Sequence, residues 1–442
     1  MFKCIIMGAA GRDFHDFKTF FARHPEFRVQ AFTATQIPFI EQRSYPASLA
    51  GPEYAEDIPI YDESELAELI PRLGIHFVFF AYSDISHREV MHRASMVQAA
   101  GASFVLLGPA QTMLDSRRIV VAITATRTGA GKSPLTQWLA ASFVGEGVGV
   151  AVLRHPMPYG NLEKQAVQRF ATLEDFDHYK CTIEEREEYE PYVRQGLVIF
   201  SGVDYQAILH AAEQEAELIL WDGGNNDFSF IRPDLSIVVS DALRAGHGLD
   251  YYPGETNLRG ADILVINKVS GANEQDIAKI RALRDELNPT AELLTADLEV
   301  SVDDPGLLAG RRVLVVEDGP TVTHGGMAYG AGLVAARRYG LDRLVDPRGC
   351  AVGSIRDTLD TFDQLREVLP AMGYSDRQRA ELKESIEKSG AEVVLNASPA
   401  DIASLLELAI PVVQVRYRFV PREGEDIMAR VRALLAGAPV DR

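Results

Sequence analysis

The sequence predicts an α/β protein built on mostly parallel sheets. Apolar runs rich in β-branched residues alternate with amphipathic segments along most of the chain, and glycine-rich turns directly follow several of the runs. Strands that alternate with helices form right-handed βαβ units, whose strands lie parallel in one sheet. At 442 residues the chain is longer than a typical single domain. We therefore expect two or three α/β domains.

Three series of predicted strands divide the chain. The first contains KCIIMG, RVQAFTAT, HFVFFAYSD and SFVLLG, the second begins at RRIVVAITA, and the third contains AEVVLNAS and PVVQVRYRF. The charged pair Arg117–Arg118 marks the seam between the first two series. The predicted domains are an amino-terminal domain over 1–117, a middle domain over 118–345, and a carboxy-terminal α/β extension over 346–442 that packs on the middle domain.

The composition excludes several classes of partner. A net charge of −19 argues against nucleic acid and against an acidic membrane surface. The cysteines Cys4, Cys181 and Cys350 are isolated and lack the spacing of a disulfide framework or a zinc site, which favours a reducing compartment. The amino terminus lacks a signal-peptide cleavage pattern, and no apolar stretch is long enough to span a bilayer. We expect a cytoplasmic protein.

The first predicted strand ends in a glycine turn, IIMGAAGRDF. Gly8 and Gly11 stand where a Rossmann-like domain receives a phosphate at a helix amino terminus. The full G-x-G-x-x-G pattern is absent, and RVQAFTAT ends without the acidic residue that would bind a ribose diol. We interpret the turn as a packing feature of a Rossmann-like domain. Ser83, Asp84 and His87, at the end of a later strand, form a site in one interpretation and are ordinary loop residues in another.

The middle domain opens with ITATRTGAGKS, which resembles a P-loop. Such a loop aims backbone N–H groups at phosphates, while a lysine reaches the β and γ oxygens and a hydroxyl ligates magnesium. A β-branched strand precedes the loop and a helical segment follows it, as the motif requires, and Pro134 suits an early helical position. Thr126 replaces the first glycine of the motif. The predicted nucleotide-binding residues of the loop are Thr126, Arg127, Thr128, Gly129, Ala130, Gly131, Lys132, Ser133 and Pro134.

A second predicted strand of this domain runs into WDGGNND. Asp222 is placed like the carboxylate that holds magnesium opposite Ser133 in a P-loop NTPase. Gly223 and Gly224 would let the backbone pass close to the γ-phosphate. Together these motifs predict a P-loop NTPase domain that binds a nucleoside triphosphate and Mg²⁺.

A third strand ends in INKVS, which resembles the start of the guanine-reading motif N-K-x-D. Asn267 and Lys268 are therefore predicted to lie at the nucleotide. Ser270 replaces the aspartate that would pair with guanine. Adenine is accordingly favoured, and the predicted nucleotide is ATP.

Cationic residues follow the strand GVGVAVLR. Because ligands gather at the carboxyl ends of parallel strands, Arg154 and His155 are predicted to reach the transferred phosphoryl group, together with Tyr159. Arg127 is predicted to act as an arginine finger from within the loop. Arg186 lies in a charge run that is interpreted either as a solvated helix face or as a lid over the site. The predicted catalytic residues are Lys132, Arg127, His155 and Arg154.

The segment VVEDGPTVTHGGMAYGAG is also rich in glycines and hydroxyls. It is interpreted either as backbone that approaches a phosphate or carboxylate, or as a structural connector. Glu317, at the end of its strand, is added to Ser133 and Asp222 as a predicted metal ligand. The predicted substrate-binding residues are Arg154, His155, Tyr159, Arg186, Gly223, Gly224, Asn225, Thr323, His324, Gly325 and Gly326.

Taken together, IMGAAGRDFH, AFTATQIP, TRTGAGKS, RHPMPYG, WDGGNNDF and EDGPTVTHGGMAYGAG resemble the cyclic 2,3-diphosphoglycerate synthetase family over most of the chain. The resemblance implies ATP- and Mg²⁺-dependent closure of 2,3-diphosphoglycerate into a cyclic phosphoanhydride, with release of ADP and phosphate. It implies a ligase whose partner is a small phosphorylated acid, and a homodimer. The anionic substrate would meet Arg127, Lys132, Arg154 and His155.

Three other functions were weighed. A related ligase would keep the P-loop chemistry and act on another phosphorylated small acid. A P-loop ATPase or GTPase switch, including a metallochaperone-type maturation factor, would usually carry metal-binding cysteine or histidine clusters, and the sequence has none. A dinucleotide-dependent oxidoreductase is disfavoured by the missing acidic residue after RVQAFTAT.

Overall fold

Contacts within the chain divide it into two units that are discontinuous in sequence. The computed structural model describes residues 1–9, 11–35, 44–155, 161–323, 327–372 and 375–437, apart from the side chains of Glu184, Asn225, Pro320 and Thr321. The first unit consists of Met1–Arg169, Val198–Ala296 and Arg422–Arg442, and the second of Phe170–Leu197 and Asp297–Pro421. The amino-terminal and P-loop regions thus share one unit. The linear boundaries at 117 and 345 stay a prediction.

The strands of the described residues are β1 Phe2–Met7, β2 Phe27–Ala34, β3 Ser44–Tyr45, β4 Ile58–Asp62, β5 Phe77–Phe80, β6 Ile85–Ser86, β7 Ser103–Leu106, β8 Ile119–Ala125, β9 Val150–Arg154, β10 Gln168–Phe170, β11 Val198–Ser201, β12 Leu218–Asp222, β13 Leu235–Asp241, β14 Tyr251–Tyr252, β15 Ile263–Asn267, β16 Glu292–Val302, β17 Val313–Glu317, β18 Leu369–Pro370, β19 Val393–Asn396 and β20 Val412–Gly424. The α-helices are α1 Arg12–Asp16, α2 Ala47–Ala50, α3 Leu66–Leu73, α4 His87–Ala99, α5 Lys132–Gly145, α6 Leu173–His178, α7 Ile183–Val193, α8 Tyr205–Glu215, α9 Gly254–Arg259, α10 Glu274–Leu287, α11 Gly319–Val322, α12 Ala331–Arg338, α13 Gly353–Thr361, α14 Asp376–Lys388, α15 Ile402–Leu405 and α16 Ile427–Leu435.

The amino-terminal part of the first unit is a six-stranded sheet in the order β3-β4-β2-β1-β5-β7. All of its neighbouring strands pair in parallel except β3 and β4. The strand order reverses beside β1, which is where open α/β sheets bind ligands at the carboxyl ends of their strands. The turn after β1 and the loop after β5 therefore leave the sheet at the same edge.

The P-loop part of the first unit is a larger sheet in the order β10-β11-β9-β12-β8-β13-β15-β16. The central strands are parallel and fully buried, which explains why they read as continuous apolar runs. Asp222 lies opposite Ile123 of β8 and Arg154 of β9, so the ends of three neighbouring strands meet at the site. The predicted mixed α/β class with a large, mostly parallel sheet is confirmed.

Aromatic side chains join the two sheets of the first unit. His15 of α1 stacks on Phe230, with ring centroids 4.1 Å apart. Phe228 and Tyr252 are buried in the same apolar cluster as Ile5 and the other core residues of the amino-terminal sheet. Burial of these large rings holds the turn after β1 against the loop after β12.

The second unit has its own apolar core around the parallel strands β17, β18, β19 and the start of β20. Helices α6 and α7 belong to this unit although they precede β11 in sequence. Among the described residues, no helix is long and apolar enough to cross a membrane.

Candidate functional site

The loop between β8 and α5 has the geometry of a P-loop. Gly129 and Gly131 adopt positive φ values of 77° and 108°, and Gly131 caps α5. Thr126 does not have a positive φ, and its N–H donates to the carbonyl of Val239 at 3.0 Å. Pro134 lies in the first turn of α5, as predicted. Both glycines with left-handed backbone conformation, which direct the loop amides, are thus present. Threonine is tolerated at position 126 because the backbone there is not left-handed.

Side chains from β13, β15 and their loops support the P-loop backbone from behind. The amide of Asn267 donates to the carbonyl of Ala130 at 2.9 Å, and the ammonium of Lys268 donates to that of Gly129 at 2.7 Å. The guanidinium of Arg244 donates to Thr128 O at 2.7 Å. Because these side chains hold the carbonyls on the outer side of the loop, the N–H groups of the loop are left to face its concave side, where a phosphate would bind. Direct contact of Asn267 or Lys268 with a nucleotide stays a prediction.

Asp241 is shared by the two cations of this support. Its Oδ2 lies 2.8 Å from Lys268 Nζ and 3.0 Å from Arg244 Nη2. Burial acts to raise the pKa of Asp241, but Lys268 and Arg244 together hold it below its usual value. Burial lowers the pKa of Lys268. The support is therefore an ion network in which one carboxylate is shared by two cations.

Lys132 is buried at the amino terminus of α5. Burial lowers the pKa of its ammonium group to about 8, and Asp222 opposes part of that shift. The group is therefore mainly protonated at neutral pH, although it is removed from water. A buried ammonium beside the loop amides is the cation that a P-loop offers to a phosphate chain.

Arg154 connects the two predicted magnesium ligands of the first unit. Its Nη1 donates to Ser133 Oγ at 2.9 Å and to Asp222 Oδ2 at a short distance. The hydroxyl and the carboxylate therefore converge on one point. Oxygen donors of this kind suit Mg²⁺, which keeps several waters and takes few protein ligands. Among the described residues, no group of three or more histidine, cysteine or acidic side chains is arranged so that it could hold a metal ion.

Arg127 contacts the amino-terminal part of the unit. Its Nε lies 3.1 Å from Asp84, its guanidinium stacks 3.4 Å from the ring centre of Tyr251, and its Nη1 lies 3.3 Å from His247 Nδ1. Asp84 has a left-handed φ of 57°, which is uncommon for a residue other than glycine, and its Oδ1 also accepts from the N–H of Thr128. Asp84 thus fixes both Arg127 and the P-loop backbone.

Replacing Asp84 by asparagine should weaken the hold on the P-loop. Asparagine tolerates the left-handed conformation but lacks the charge that fixes Arg127. We expect the KM for ATP to rise roughly tenfold, which corresponds to about 1.4 kcal/mol. Steady-state kinetics would measure the change. Asp115→Asn is the matched control, because Asp115 is exposed and, among the described residues, pairs with the exposed Arg232. An unchanged KM in Asp84→Asn would contradict a positioning role for Asp84.

His155 occupies a space that two glycines leave open. A Cβ atom on Gly11 would lie 2.5 Å from His155 Cε1, and one on Gly224 would lie 2.8 Å from His155 Cβ. His155 Nε2 lies 3.1 Å from Asp227 Oδ2. The structure therefore brings His155 together with Arg154 and the loop at Gly223–Gly224, as predicted.

A buried ionic cluster extends from His155 into α1. Arg12 Nη1 lies 3.5 Å from Asp227, and Arg12 Nε lies 3.6 Å from Asp16. Burial raises the pKa of Asp16 to about 7 against the opposing effect of Arg12. For Arg12, burial acts to lower the pKa, but Tyr252, Asp227 and Asp16 raise it above its usual value. Charged residues of the first helix thus lie beside the phosphate-binding region.

Other predicted residues lie in the second unit. Arg186 contacts Asp177 and the ring of Phe176. Thr323 Oγ1 donates to the carbonyl of Gly319 at 2.7 Å. The roles of Arg186 and Thr323 in binding substrate stay predictions. Tyr159, His324, Gly325 and Gly326 lie outside the described residues, as does the side chain of Asn225.

Glu317, a predicted metal ligand, binds backbone amides of its own unit. Its carboxylate accepts from the N–H groups of Gly330, Gly332 and Leu333 at 2.9–3.1 Å. Burial raises the pKa of Glu317 to about 7, while these three hydrogen bonds act to lower it. The contacts give Glu317 a structural role at the start of α12, and its role as a metal ligand stays a prediction.

Sequence reasoning missed Arg12, Asp16 and Asp227, and left Asp84 open. Asp227 closes the motif WDGGNND, so it could have been suspected from its position after two glycines. The pattern of α1 gave no signal, because charged residues in the first turn of a helix are usually solvated. Only the packing of one sheet against the other buries them.

A relative from Thermococcus kodakarensis, the arginine synthetase ArcE, is 54% identical to this chain over 415 residues. The match covers 94% of this chain and 93% of the relative. The chain belongs to the ArcE family. No protein-family model matches the chain.

Solved structures resemble this member of the ArcE family only distantly. LpxK from Aquifex aeolicus, solved with ATP, has a TM-score of 0.40 at 12% identity, covering 84% of this chain and 99% of its own. Cobyrinic acid a,c-diamide synthase from Mycobacterium smegmatis, with an ATP analogue and magnesium, has a TM-score of 0.19 at 14% identity, covering 51% of this chain and 81% of its own. Likenesses at these scores carry no argument about function.

Proposed function

We propose that this protein is an ATP-dependent ligase that forms arginine by replacing the oxygen of a ureido group with nitrogen. The observation that carries the proposal is the 54% identity to a protein named arginine synthetase, across nearly the whole of both chains. The ureido amino acid with the carbon skeleton of arginine is citrulline. It differs from arginine by one oxygen in place of one nitrogen.

The site suits the energetics of that exchange. A ureido oxygen is a poor leaving group, and transfer of the γ-phosphoryl group of ATP to it would make it a good one. The nitrogen of ammonia would then bond to the ureido carbon. The C–O bond would break, and the electron pair of that bond would leave on the oxygen of phosphate. The balance is citrulline, ammonia and ATP in, and arginine, ADP and phosphate out. The P-loop amides and Lys132 would bind the triphosphate, and adenine stays favoured over guanine because Ser270 replaces the aspartate.

The charges around the P-loop favour a substrate with little negative charge. Arg127 is paired with Asp84, Arg154 with Asp222, and Lys268 and Arg244 share Asp241. Each of these cations is partly neutralised before a substrate binds. A zwitterionic amino acid requires less uncompensated positive charge beside ATP than a bisphosphorylated acid does.

Ser133 and Asp222 would hold Mg²⁺ in this proposal, since their oxygens converge on Arg154. The ion would neutralise charge on the triphosphate when bound. Arg154 would exchange its contact with these oxygens for one with the transferred phosphoryl group. Lys132 would remain at the β and γ oxygens.

Cyclic 2,3-diphosphoglycerate synthesis is the second candidate, and the motifs TRTGAGKS and WDGGNNDF favour it. It uses the same ATP-dependent activation but captures the activated phosphate with a second phosphate of the same molecule. The two candidates differ in the acceptor and in the product.

One assay separates the candidates. The purified protein is incubated with ATP and Mg²⁺, either with citrulline and ammonium chloride or with 2,3-diphosphoglycerate. ADP release is followed together with amino-acid analysis for arginine and phosphorus NMR for a cyclic product. We expect arginine and ADP in equal amounts in the first mixture. ADP release that only 2,3-diphosphoglycerate stimulates, with a cyclic product, would reject arginine synthesis.

A further inference from the structure

We propose that His155 is the general base that takes a proton from the nitrogen entering the product, and that Asp227 and Arg12 hold it in position. The inference rests on the proposed amination of a ureido group. It changes the expected role of His155 from a cation that binds phosphate to a neutral acceptor of a proton.

His155 is next in sequence to a side chain of the candidate site. It follows Arg154 at the end of β9, and Arg154 contacts both Ser133 and Asp222. Its ring lies between Gly11 and Gly224, where any side chain at either glycine would collide with it. About 8% of its side chain is exposed, so the imidazole is largely shielded from bulk water. The turn after β1 and the loop after β12 thus each have a glycine where the His155 ring needs space.

Asp227 orients the ring. Its Oδ2 lies 3.1 Å from His155 Nε2, while its Oδ1 accepts from the N–H of Phe228 at 2.9 Å. A carboxylate at Nε2 selects the tautomer in which Nε2 carries the proton, and leaves the lone pair on Nδ1. Nδ1 makes no hydrogen bond to any residue that the structure describes. It is therefore the nitrogen available to a nucleophile.

Arg12 in turn positions Asp227. Its Nη1 lies 3.5 Å from Asp227 Oδ1, and its Nη2 donates to the carbonyl of Leu107 and to the hydroxyl of Tyr252. Arg12 Nη1 and Asp16 Oδ1 are buried without a hydrogen-bond partner in the described part of the chain. This cluster carries more carboxylates than cations. Arg12 thus holds in place the carboxylate that orients the His155 ring.

The proton transfer completes the amination. The nitrogen of ammonia bonds to the carbon that bears the phosphorylated oxygen, and one of its protons passes to His155 Nδ1. The C–O bond then breaks, its electron pair leaves on phosphate, and the proton passes from His155 to the departing phosphate. The amino-terminal part of the first unit, whose glycine turn was interpreted from the sequence as a packing feature, would thereby supply Arg12 to the reaction.

His155→Gln tests the role, because glutamine can still donate to Asp227 but cannot serve as a base. Arginine formation from ammonium should fall about 100-fold or more. The reaction with hydroxylamine, which is a stronger nucleophile and largely unprotonated at pH 7, should fall less than tenfold. Citrulline-dependent isotope exchange within the triphosphate of ATP, measured without ammonia, should persist. Asp227→Asn should show the same selective loss for ammonium.

His210→Gln, on the exposed face of α8, is the matched control and should leave all three rates unchanged. Equal losses with both nucleophiles and in isotope exchange would indicate a purely structural role and overturn the inference. Unchanged arginine formation in His155→Gln would overturn it as well. A wild-type protein that forms no arginine would reject the proposed function together with this inference, whereas the other outcomes reject the inference alone.

Discussion

Lys132→Ala is expected to abolish ATP turnover while the fold remains intact. The ammonium group is buried at the start of α5, beside the amides of Gly129 and Gly131. Negative charge on the transferred phosphoryl group and the leaving oxygen must be stabilised there, and a positioned cation in a water-excluded site makes a large contribution. We expect kcat to fall on the order of 10³-fold. A coupled assay of ADP release would measure the change.

The same variant should bind ATP more weakly, which calorimetry would detect. Lys279→Ala is the matched control, because Lys279 lies on the exposed face of α10 and, within the described residues, pairs with Asp276. Circular dichroism and the thermal midpoint would establish that Lys132→Ala is folded. Removal of a buried ammonium also removes its desolvation cost, so we expect no loss of stability. A folded variant with normal turnover would refute the P-loop assignment.

The P-loop could be predicted because its signal is local. Gly129, Gly131, Lys132 and Ser133 are near neighbours in sequence, and the strand and helix on either side have clear periodicity. Thr126, which stands in place of the first glycine of the motif, does not conflict with the prediction, because the backbone at that position is not left-handed. The parallel sheet followed from the same alternation of apolar runs and amphipathic segments.

The partners of the P-loop could not be predicted in this way. Asp84 is separated from Arg127 by 43 residues, and Arg12 is separated by 240 residues from Tyr252, to which it donates. Such contacts depend on how one sheet packs against the other, and no local pattern records that. From the sequence alone, Asp84 could be interpreted either as part of a site or as an ordinary loop residue at a strand end.

Arg154 shows how a correct location can have an unexpected partner. The end of β9 was predicted to carry a cation for the phosphates, and the structure places Arg154 against Ser133 and Asp222. The ends of β8, β9 and β12 could each be located in the sequence. That they lie side by side depends on the strand order β9-β12-β8, which the sequence does not state. That order brings Asp222 into register with Arg154.

Asp222→Ala should therefore impair both activity and stability. The variant lacks the proposed magnesium ligand, and we expect kcat to fall on the order of 100-fold or more. It also leaves the buried Arg154 without the carboxylate that compensates its charge. Removing one partner of a buried ion pair typically costs about 3–5 kcal/mol. Kinetics and urea unfolding would measure the two effects separately.

A double variant separates the two roles of Asp222. Asp222→Ala combined with Arg154→Met removes both charges, and methionine fills most of the space of the arginine stem. Replacement of a buried pair by apolar side chains is often nearly neutral for stability, so the unfolding midpoint should recover most of its loss. Turnover should not recover, because the oxygen for Mg²⁺ and the cation for the phosphoryl group are both absent. Recovery of both properties would mean that Asp222 serves only to neutralise Arg154, and that the Mg²⁺ assignment is wrong.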